Sequence, residues 1–136
     1  MKILVTGVKG QLGYDVVNEL AERGVEVVGV DIEEMDITDA ESVDKVIRDV
    51  DPDAVIHCAA FTAVDAAEEN EDLCRRVNVE GPRNIAKVCR EQDIKMLQVS
   101  TDYVFEGTGE RPWEPEDACR PKTVSGKTKY EGELVV

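Results

Sequence analysis

A glycine-spaced turn near the amino terminus constrains the fold of this chain more than any other feature. Gly7, Gly10 and Gly13 follow a short β-branched run at residues 2–6 and precede an amphipathic stretch. A strand that leads through such a turn into a helix is typical of a dinucleotide-binding βαβ unit. We predict that Gly7 permits a tight turn, that Gly10 lets a pyrophosphate approach the backbone, and that Gly13 lets the helix pack closely on the sheet.

The start of the predicted helix, at Gln11 and Leu12, would present free backbone N–H groups. Those groups, with the helix dipole behind them, form an anion site that suits a pyrophosphate. The alternative interpretation is a strand-to-helix turn that uses glycine and binds nothing.

A carboxylate after the second predicted strand supplies the other half of this signature. Asp31 lies 24 positions after Gly7, where it can accept hydrogen bonds from the adenosine ribose and repel a 2′-phosphate. The next residues include Glu33 and Glu34 but no Arg or Lys, although Lys9 in the turn could partly serve a phosphate. The pattern favours NAD(H), with NADP(H) as the alternative. A plain strand-end cap is the other interpretation of Asp31.

Two periodicities alternate along the rest of the chain. Near-continuous apolar runs predict strands covered on both faces, at residues 2–6, 26–30, 54–58 and 94–99. Between them, apolar residues at helical spacing predict helices at 11–23, around 43–50 and at 71–92. Strand alternating with helix predicts an α/β fold with a doubly wound parallel sheet, Rossmann-like and NAD(P)-binding.

Several details of these helices are open to structural test. Thr38 and Glu41 form a predicted capping box for the second helix. Pro82 predicts a kink or break in the third helix near Gly81. The residues expected to face the core are Leu12, Val16, Val17, Leu20, Val43, Val46, Ile47, Val50, Leu73, Val77, Ile85 and Val88.

The pattern lapses after residue 99 into a Gly-, Pro- and Glu-rich loop at 106–123, and a final helix is predicted to begin near Thr123. No strand follows that helix. We therefore expect residues 1–136 to be a single NAD(P)-binding Rossmann domain, the front part of a larger fold truncated before its substrate-binding domain.

Charge and cysteine usage exclude several function classes. Acidic residues outnumber basic ones 30 to 16, a formal net charge of −14 that argues against binding to nucleic acid or anionic membranes. No apolar run approaches the ~20 residues of a membrane span. Four cysteines without C-x-x-C spacing and a single histidine argue against a metal site. We expect a cytoplasmic protein whose reduced cysteines are small core residues.

Five segments in a fixed order carry a resemblance to a known family. They are the glycine turn, CAAFTAVD at 58–65, NVEG at 78–81, VSTDYVFEG at 99–107 and GKTKYEGE at 126–133. With them the chain resembles the extended short-chain dehydrogenase/reductase family, and within it the members that reduce the 4-keto group of a dTDP-linked deoxysugar with NAD(P)H. The resemblance covers essentially the whole chain and allows for a homo-oligomer.

The resemblance implies a role for individual positions. Gly10, Gln11 and Leu12 would hold the pyrophosphate, and Asp31 the ribose. The adenine would lie against Asp36 and Ile37, and the path to the nicotinamide would be lined by Ala60, Phe61 and Thr62.

On the substrate side, the resemblance implies that Thr101 orients and polarises the ketone, with Asp102 beside the sugar nucleotide. Val64 and Tyr103 would be further substrate contacts. Lys129 would bind the nicotinamide ribose and lower the pKa of a catalytic tyrosine, which protonates the ketone oxygen as hydride reaches the carbon.

The chain departs from the family at that tyrosine. The position four residues before Lys129 holds Ser125, whose hydroxyl is shorter and harder to ionise than a phenol. Tyr130 is turned about 100° away from Lys129 along a helix, and Tyr103 is the alternative proton donor.

Family members also continue for roughly as long again, and that part closes over the sugar nucleotide. We therefore expect this chain to bind dinucleotide more readily than it turns over sugar. A non-catalytic NAD(P)-binding regulatory subunit of the same fold is one alternative function. A nucleotide-sugar epimerase or dehydratase is another, against which the STDYVF segment argues.

Three remaining features are interpreted structurally. The acidic run of Asp65, Glu68, Glu69, Glu71 and Asp72 is expected to be a solvated helix face. His57 is expected to be a satisfied core histidine, and Trp113 to pack its own loop.

Overall fold

A computed structural model describes all 136 residues and shows a four-stranded parallel sheet in the order β2-β1-β3-β4. The strands are β1 (Lys2–Thr6), β2 (Glu26–Val30), β3 (Ala54–His57) and β4 (Lys95–Gln98). The helices are α1 (Gln11–Glu22), α2 (Ala40–Val50), α3 (Val64–Glu69), α4 (Glu71–Arg75), α5 (Gly81–Glu91) and α6 (Val124–Leu134). This arrangement confirms the α/β Rossmann-like fold.

The strand order places a topological switch beside β1. The first crossover leads from β1 to β2, and the next one returns to the other side of β1, where β3 pairs in register from Ile3–Ala54 to Thr6–His57. Ligands of open parallel sheets bind in the crevice outside the carboxyl ends of strands at such a switch. The glycine turn leaves β1 at this point.

One face of the sheet carries the main core. Leu4 of β1 and Val55 of β3 are fully buried on it, against Val43 and Ile47 of α2 and Ile85 of α5. Val43 and Ile47 are two of the four core residues predicted for the second helix, and the other two, Val46 and Val50, are partly buried against the same core, which confirms its apolar stripe. The core sits beneath the carboxyl edge of the sheet and supports the loops that follow the strands.

The other face is covered less completely. Helix α1 packs on β1 and β2, but β4 at the edge has its outward residues, Lys95 and Leu97, exposed. Leu97 is 53% exposed. The expectation that this strand is covered on both faces was wrong, because no helix of this chain packs on that face at β4.

The start of α2 differs from the capping box predicted for it. Asp39 is the N-cap, and its Oδ1 accepts hydrogen bonds from the amides of Glu41 at 3.0 Å and Ser42 at 3.4 Å. The Thr38 hydroxyl donates instead to Asp36 Oδ1 at 2.7 Å. Asp competes with Thr for this position because its carboxylate accepts two amides at once.

The long helical region breaks as predicted. A π-helical turn, Arg76–Glu80, joins α4 to α5 just before Pro82. The wider turn shifts the face that α4 buries, so Cys74 is fully buried whereas Leu73 is 40% exposed. The inward placement predicted for Leu73 was wrong. The prediction also missed α3, which precedes this region.

The start of α1 and the segment after β4 show two further features. Leu12, expected to face the core, is exposed at the start of α1. A 3₁₀ turn, Asp102–Val104, follows β4, and α6 begins after Thr123, as predicted. None of the helices is both long and apolar enough to cross a bilayer.

Candidate functional site

The glycine turn closes tightly over the end of β1. Gly7 has a backbone φ of +71°, and its amide donates to the Val30 carbonyl at 3.0 Å. A Cβ at Gly7 would fall 2.7 Å from the Ala59 amide nitrogen, so no side chain fits there. A Cβ at Gly13 would strike the Gly7 carbonyl, so Gly13 lets α1 pack on the turn itself rather than on the sheet.

The start of α1 is left open on its amide side. Gly10 is the N-cap, and no side chain caps the helix. The first turn of a helix carries amide groups without intrahelical partners, and here they border a cavity of about 710 Å³. The predicted pyrophosphate site is therefore a real opening rather than a filled turn.

Three adjoining cavities lie along the carboxyl edge of the sheet, and together we call them the cleft. The cavity at the glycine turn shares Ala59 and Ala60 with a cavity of about 250 Å³ beside Asp36 and Ile37. It shares Ala60 and Thr62 with a third cavity of about 260 Å³. We call the part at residues 7–13 and Asp31 the glycine end of the cleft.

The opposite part is the lysine end, lined by Thr101, Ser125 and Lys129. The predicted cofactor and substrate positions line one or another part of this cleft, with one exception. Those that do so are Gly7, Gly10, Gln11, Leu12, Gly13, Asp31, Asp36, Ile37, Ala60, Phe61, Thr62, Val64, Thr101, Tyr103, Ser125 and Lys129. Asp102 is the exception: it is exposed and lines none of the three cavities.

Asp31 lies on the rim of the glycine end. Its Oδ2 accepts a hydrogen bond from the Lys9 backbone amide at 2.9 Å, and its Oδ1 accepts one from the Ile32 amide at 2.8 Å. The carboxylate is thus oriented by the turn itself. Each oxygen keeps a lone pair that can accept from a ligand hydroxyl.

A buried threonine–histidine pair joins the walls of the cleft from below. The Thr6 hydroxyl accepts hydrogen bonds from the amides of Cys58 and Ala59, both at 3.1 Å. Its own proton therefore goes to His57 Nδ1, 2.7 Å away, which assigns the imidazole proton to Nε2. The pair ties the end of β1 to the segment that begins at Cys58.

His57 is the most strongly perturbed of these groups. It is 1% exposed, and burial, reinforced by the charge of Lys129, lowers its pKa to about 3. Its Nε2 and the side-chain amide of its register neighbour Gln98 have no protein partner. The expectation of a satisfied core histidine was therefore correct for burial but wrong for one ring nitrogen.

Asn78 in the π-helical turn holds the opposite wall. Its Oδ1 accepts from the Phe61 amide at 2.9 Å, and its Nδ2 donates to the Phe61 carbonyl at 3.3 Å and to Thr128 Oγ1 at 3.1 Å. One buried side chain thus fixes both backbone groups of Phe61 and links them to α6. Sequence reasoning quoted Asn78 within NVEG but assigned it no role.

The lysine end collects polar groups from the segment that follows β4, the 3₁₀ turn and α6. Lys129 is 7% exposed and donates from Nζ to the Val99 carbonyl at 2.6 Å. Burial lowers the pKa of Lys129, although the carboxylate of Glu133 partly opposes that effect. Glu133 also accepts a hydrogen bond from the Ser100 hydroxyl, which fastens the end of β4 to α6 a second time.

Thr101 and Ser125 complete this end. Thr101 Oγ1 accepts from the Tyr103 amide at 3.2 Å and donates to Asp102 Oδ1 at 3.3 Å. Ser125 lies in the first turn of α6 and is 6% exposed. Tyr103 lines the same cavity as Ser125, whereas Tyr130 does not.

Other predicted features fall into place around the cleft. Trp113 stacks on Phe105 with ring centroids 4.9 Å apart, so it packs its own loop as expected. The acidic run is exposed, and within it Glu68 accepts a hydrogen bond from the Val124 amide at the start of α6. Cys58 lines the cleft rather than filling the core, a correction to its predicted role.

Two of the remaining cysteines, Cys74 and Cys89, are buried as predicted, whereas Cys119 is only partly buried. No group of three or more His, Cys, Asp or Glu side chains is arranged to hold a metal ion.

Comparison with known proteins agrees with this geometry. The family described as RmlD substrate binding domain matches residues 1–136. A dTDP-4-dehydrorhamnose reductase of Streptomyces griseus is 44% identical over 133 residues, which is 98% of this chain and 44% of that protein. The chain thus spans less than half the length of this curated relative.

Solved structures show the same similarity. A dTDP-4-dehydrorhamnose reductase of Clostridium acetobutylicum superposes with a TM-score of 0.96 at 42% identity, over 99% of this chain and 48% of that one. The enzyme of the same name from Bacillus anthracis, solved with NADP, gives 0.95 at 34% identity over 98% and 48%. A UDP-glucose 4-epimerase of Thermus thermophilus, solved with NAD, gives 0.89 at 30% identity over 98% and 49%.

Proposed function

This chain belongs to the RmlD substrate binding domain family, and from that premise we propose that it binds NAD(P)H as the cofactor domain of a dTDP-4-dehydrorhamnose reductase. The reaction is reduction of the 4-keto group of a nucleotide-linked deoxysugar in dTDP-rhamnose biosynthesis. The observation that carries the proposal is the row of adjoining cavities, with an open glycine turn at one end and a buried lysine at the other.

The glycine end supports dinucleotide binding through its backbone. The uncapped start of α1 offers amide groups to a pyrophosphate, and Asp31 accepts from ribose hydroxyls. Ile37 and Met35 form part of an apolar pocket that suits an adenine ring. The turn orients Asp31, whereas Met35 and Ile37 are held by the core that includes residues of α2 and α5.

The lysine end supports orientation of a nicotinamide and a ketone. A bound NAD(P)H would supply the hydride. Lys129 keeps an N–H donor for a ribose hydroxyl after its bond to the Val99 carbonyl. The Thr101 hydroxyl is aligned by the Tyr103 amide and donates a long hydrogen bond to Asp102. On substrate binding it would exchange that bond for one to the ketone oxygen and polarise it.

The site lacks the tyrosine expected to donate the proton to the ketone oxygen. Ser125 occupies the position of the expected tyrosine, and a serine hydroxyl releases its proton far less readily than a phenol. Tyr103 lines the same cavity and is the alternative donor. A non-catalytic NAD(P)-binding regulatory subunit is therefore the second candidate function, favoured by the combination of Ser125 with an intact glycine end.

The reductase is preferred over an epimerase or dehydratase because the reductase relatives are more similar to this chain than the epimerase structure is. We further propose a cytoplasmic location, since all four cysteines are free thiols. Self-association remains a proposal that analytical ultracentrifugation would test.

Titration of NADH and NADPH into the chain, followed by cofactor fluorescence, tests the proposal. We expect saturable binding, weakened about ten-fold or more by Asp31→Ala because the ribose loses a charged acceptor. The matched control is Asp49→Ala on the exposed side of α2, which should leave affinity unchanged. Absence of saturable binding, or equal effects of the two variants, would refute the assignment.

Sugar-dependent oxidation of NADH by the protein that carries this chain, measured with dTDP-4-dehydrorhamnose, then separates the two candidate functions. Turnover supports the reductase. Cofactor binding without turnover supports the regulatory subunit.

A further inference from the structure

An ion pair lies at the ribose rim of the glycine end. Lys9 stands in the middle of the turn, and its backbone amide donates to Asp31 Oδ2 at 2.9 Å. Its side chain reaches across the rim, where Nζ is 2.5 Å from Glu33 Oε1. The ammonium group is thus tethered within the same short loop as the carboxylate expected to hold the ribose.

The charges around this pair are unbalanced. Asp31, Glu33 and Glu34 bring three carboxylates against one ammonium, and Glu34 is held in place by the Asp31 amide, which donates to its Oε2 at 2.9 Å. The hydrogen bond with Glu33 raises the pKa of Lys9, and the pKa of Glu33 is lowered in return. Both partners are therefore charged at neutral pH, and the rim carries a net negative charge.

That charge bears on the two forms of the cofactor differently. The 2′-phosphate of NADPH adds about −1.5 to −2 charges at pH 7, by analogy with other phosphate monoesters, whereas NADH presents a neutral hydroxyl there. A free lysine in the turn would attract the phosphate, but Lys9 is already neutralised by Glu33.

Building on the proposed function, we infer that the Lys9–Glu33 pair sets the preference of this chain for NADH over NADPH. While the pair is closed, the rim accepts a ribose hydroxyl and repels a phosphate. When Glu33 is removed, Lys9 becomes the phosphate ligand.

The exposure of the pair sets the size of the effect. The two side chains are 63% and 57% exposed, and exposed ion pairs contribute little to stability. A 2′-phosphate can therefore compete with Glu33 for Lys9, so NADPH binds more weakly than NADH but is not excluded.

The test compares cofactor affinities in Glu33→Gln and Lys9→Met by fluorescence titration of NADH and of NADPH. We expect Glu33→Gln to tighten NADPH about five-fold and to change NADH less than about two-fold, because only the phosphate senses the lost charge. Lys9→Met should weaken NADPH, and in the double variant it should abolish the gain.

Glu19→Gln is the matched control, since Glu19 forms the same kind of exposed ion pair with Arg23 on α1, away from the cleft. It should leave the NADH-to-NADPH ratio unchanged. If both cofactors bind but Glu33→Gln leaves the ratio unchanged, or the double variant keeps the gain, the inference is overturned and the proposed function stands. If neither cofactor binds the unaltered chain, both fail.

Discussion

The two ends of the cleft are built in opposite ways. The glycine end comes from the turn between β1 and α1, the first turn of α1, and Asp31 directly after β2, so most of its geometry is set by the backbone of one turn. The lysine end gathers side chains from the segment that follows β4, the 3₁₀ turn and α6, and it depends on the tertiary packing of all three. The glycine end carries its full signature, whereas the lysine end carries a serine at the expected tyrosine position.

The ends also differ in what they tolerate. At the glycine end, backbone approaches backbone, and even one added methyl group has no space at Gly7 or Gly13. At the lysine end, Ser125 borders a cavity, so a larger side chain has somewhere to go. Substitutions at the glycine end are therefore limited by the space available, whereas at the lysine end the chemical nature of the side chain decides the effect.

The largest expected effect is a gain at the lysine end. Ser125→Tyr, in the protein that carries this chain, should raise sugar-dependent NADH oxidation by about a hundred-fold or more, or about 3 kcal/mol of barrier. A phenol beside Lys129 reaches farther and ionises more easily than the serine hydroxyl. Ser125→Phe is the matched control and should bring no gain, because it adds the ring without the proton. An equal rate in both variants would show that the lysine end is assigned wrongly.

The next effect is a loss at the glycine end. Gly13→Ala should lower the free energy of unfolding by about 2–3 kcal/mol, because its Cβ would strike the Gly7 carbonyl. It should also abolish saturable NADH binding. In Gly24→Ala the new Cβ meets no atom within 4 Å and only a left-handed backbone is strained, so about 1 kcal/mol should be lost and NADH should still bind. Urea unfolding and NADH titration measure both. Binding by Gly13→Ala would contradict the steric account.

A pH-dependent effect tests the buried Thr6–His57 pair, which lies beneath the cleft between its two ends. His57 has a pKa of about 3 when folded against its usual 6.5, so the unfolded chain binds more protons between these values. The free energy of unfolding is therefore fully retained above pH 6.5 and falls as the pH drops toward 3. At pH 5 the loss from His57 alone is about 2 kcal/mol.

His57→Asn isolates that contribution from the carboxylates, which titrate in both proteins. The drop in free energy of unfolding between pH 7 and pH 5, from urea titration, should be about 2 kcal/mol larger in the unaltered chain than in the variant. Equal drops would mean that the imidazole is protonated in the folded chain.

The smallest effect concerns the loop beyond the lysine end. Trp113→Ala should lower the free energy of unfolding by about 1 kcal/mol through loss of the stack on Phe105. NADH affinity should stay within about two-fold, because the loop touches neither Asp31 nor the turn. Trp113→Phe keeps an aromatic stack and should restore most of the stability, as followed by circular dichroism. A large loss of NADH binding would show that the two ends are coupled through this loop.

Particular residues show how far sequence reasoning reached. The turn, Asp31, Asp36 and Ile37 were all predicted to share one site, and they line adjoining cavities. The side chain of Asn78 and the Thr6–His57 pair were not assigned there, because their partners lie 17 and 51 residues away along the chain. Periodicity reports which face of an element is apolar, but it does not report which distant backbone group a buried amide will meet.

The same distinction explains the errors. Leu73 and Leu97 follow apolar patterns, yet a π-helical turn rotates one outward and an edge position leaves the other exposed. The N-cap of α2 is Asp39 rather than the predicted Thr38. Two acceptable N-cap residues are adjacent in the sequence, and only the backbone path selects between them.

By itself, the sequence determined the Rossmann-like order of elements, the phosphate-type turn and the missing tyrosine, because each depends on residues close together in the chain or on their chemical identity. Tertiary structure alone decided how Asn78, His57 and Lys129 are buried and paired, and that Lys9 is held by Glu33 at the ribose rim. These contacts depend on where the elements pack against one another, and burial then changes the chemistry of each group through desolvation and the partners it is given.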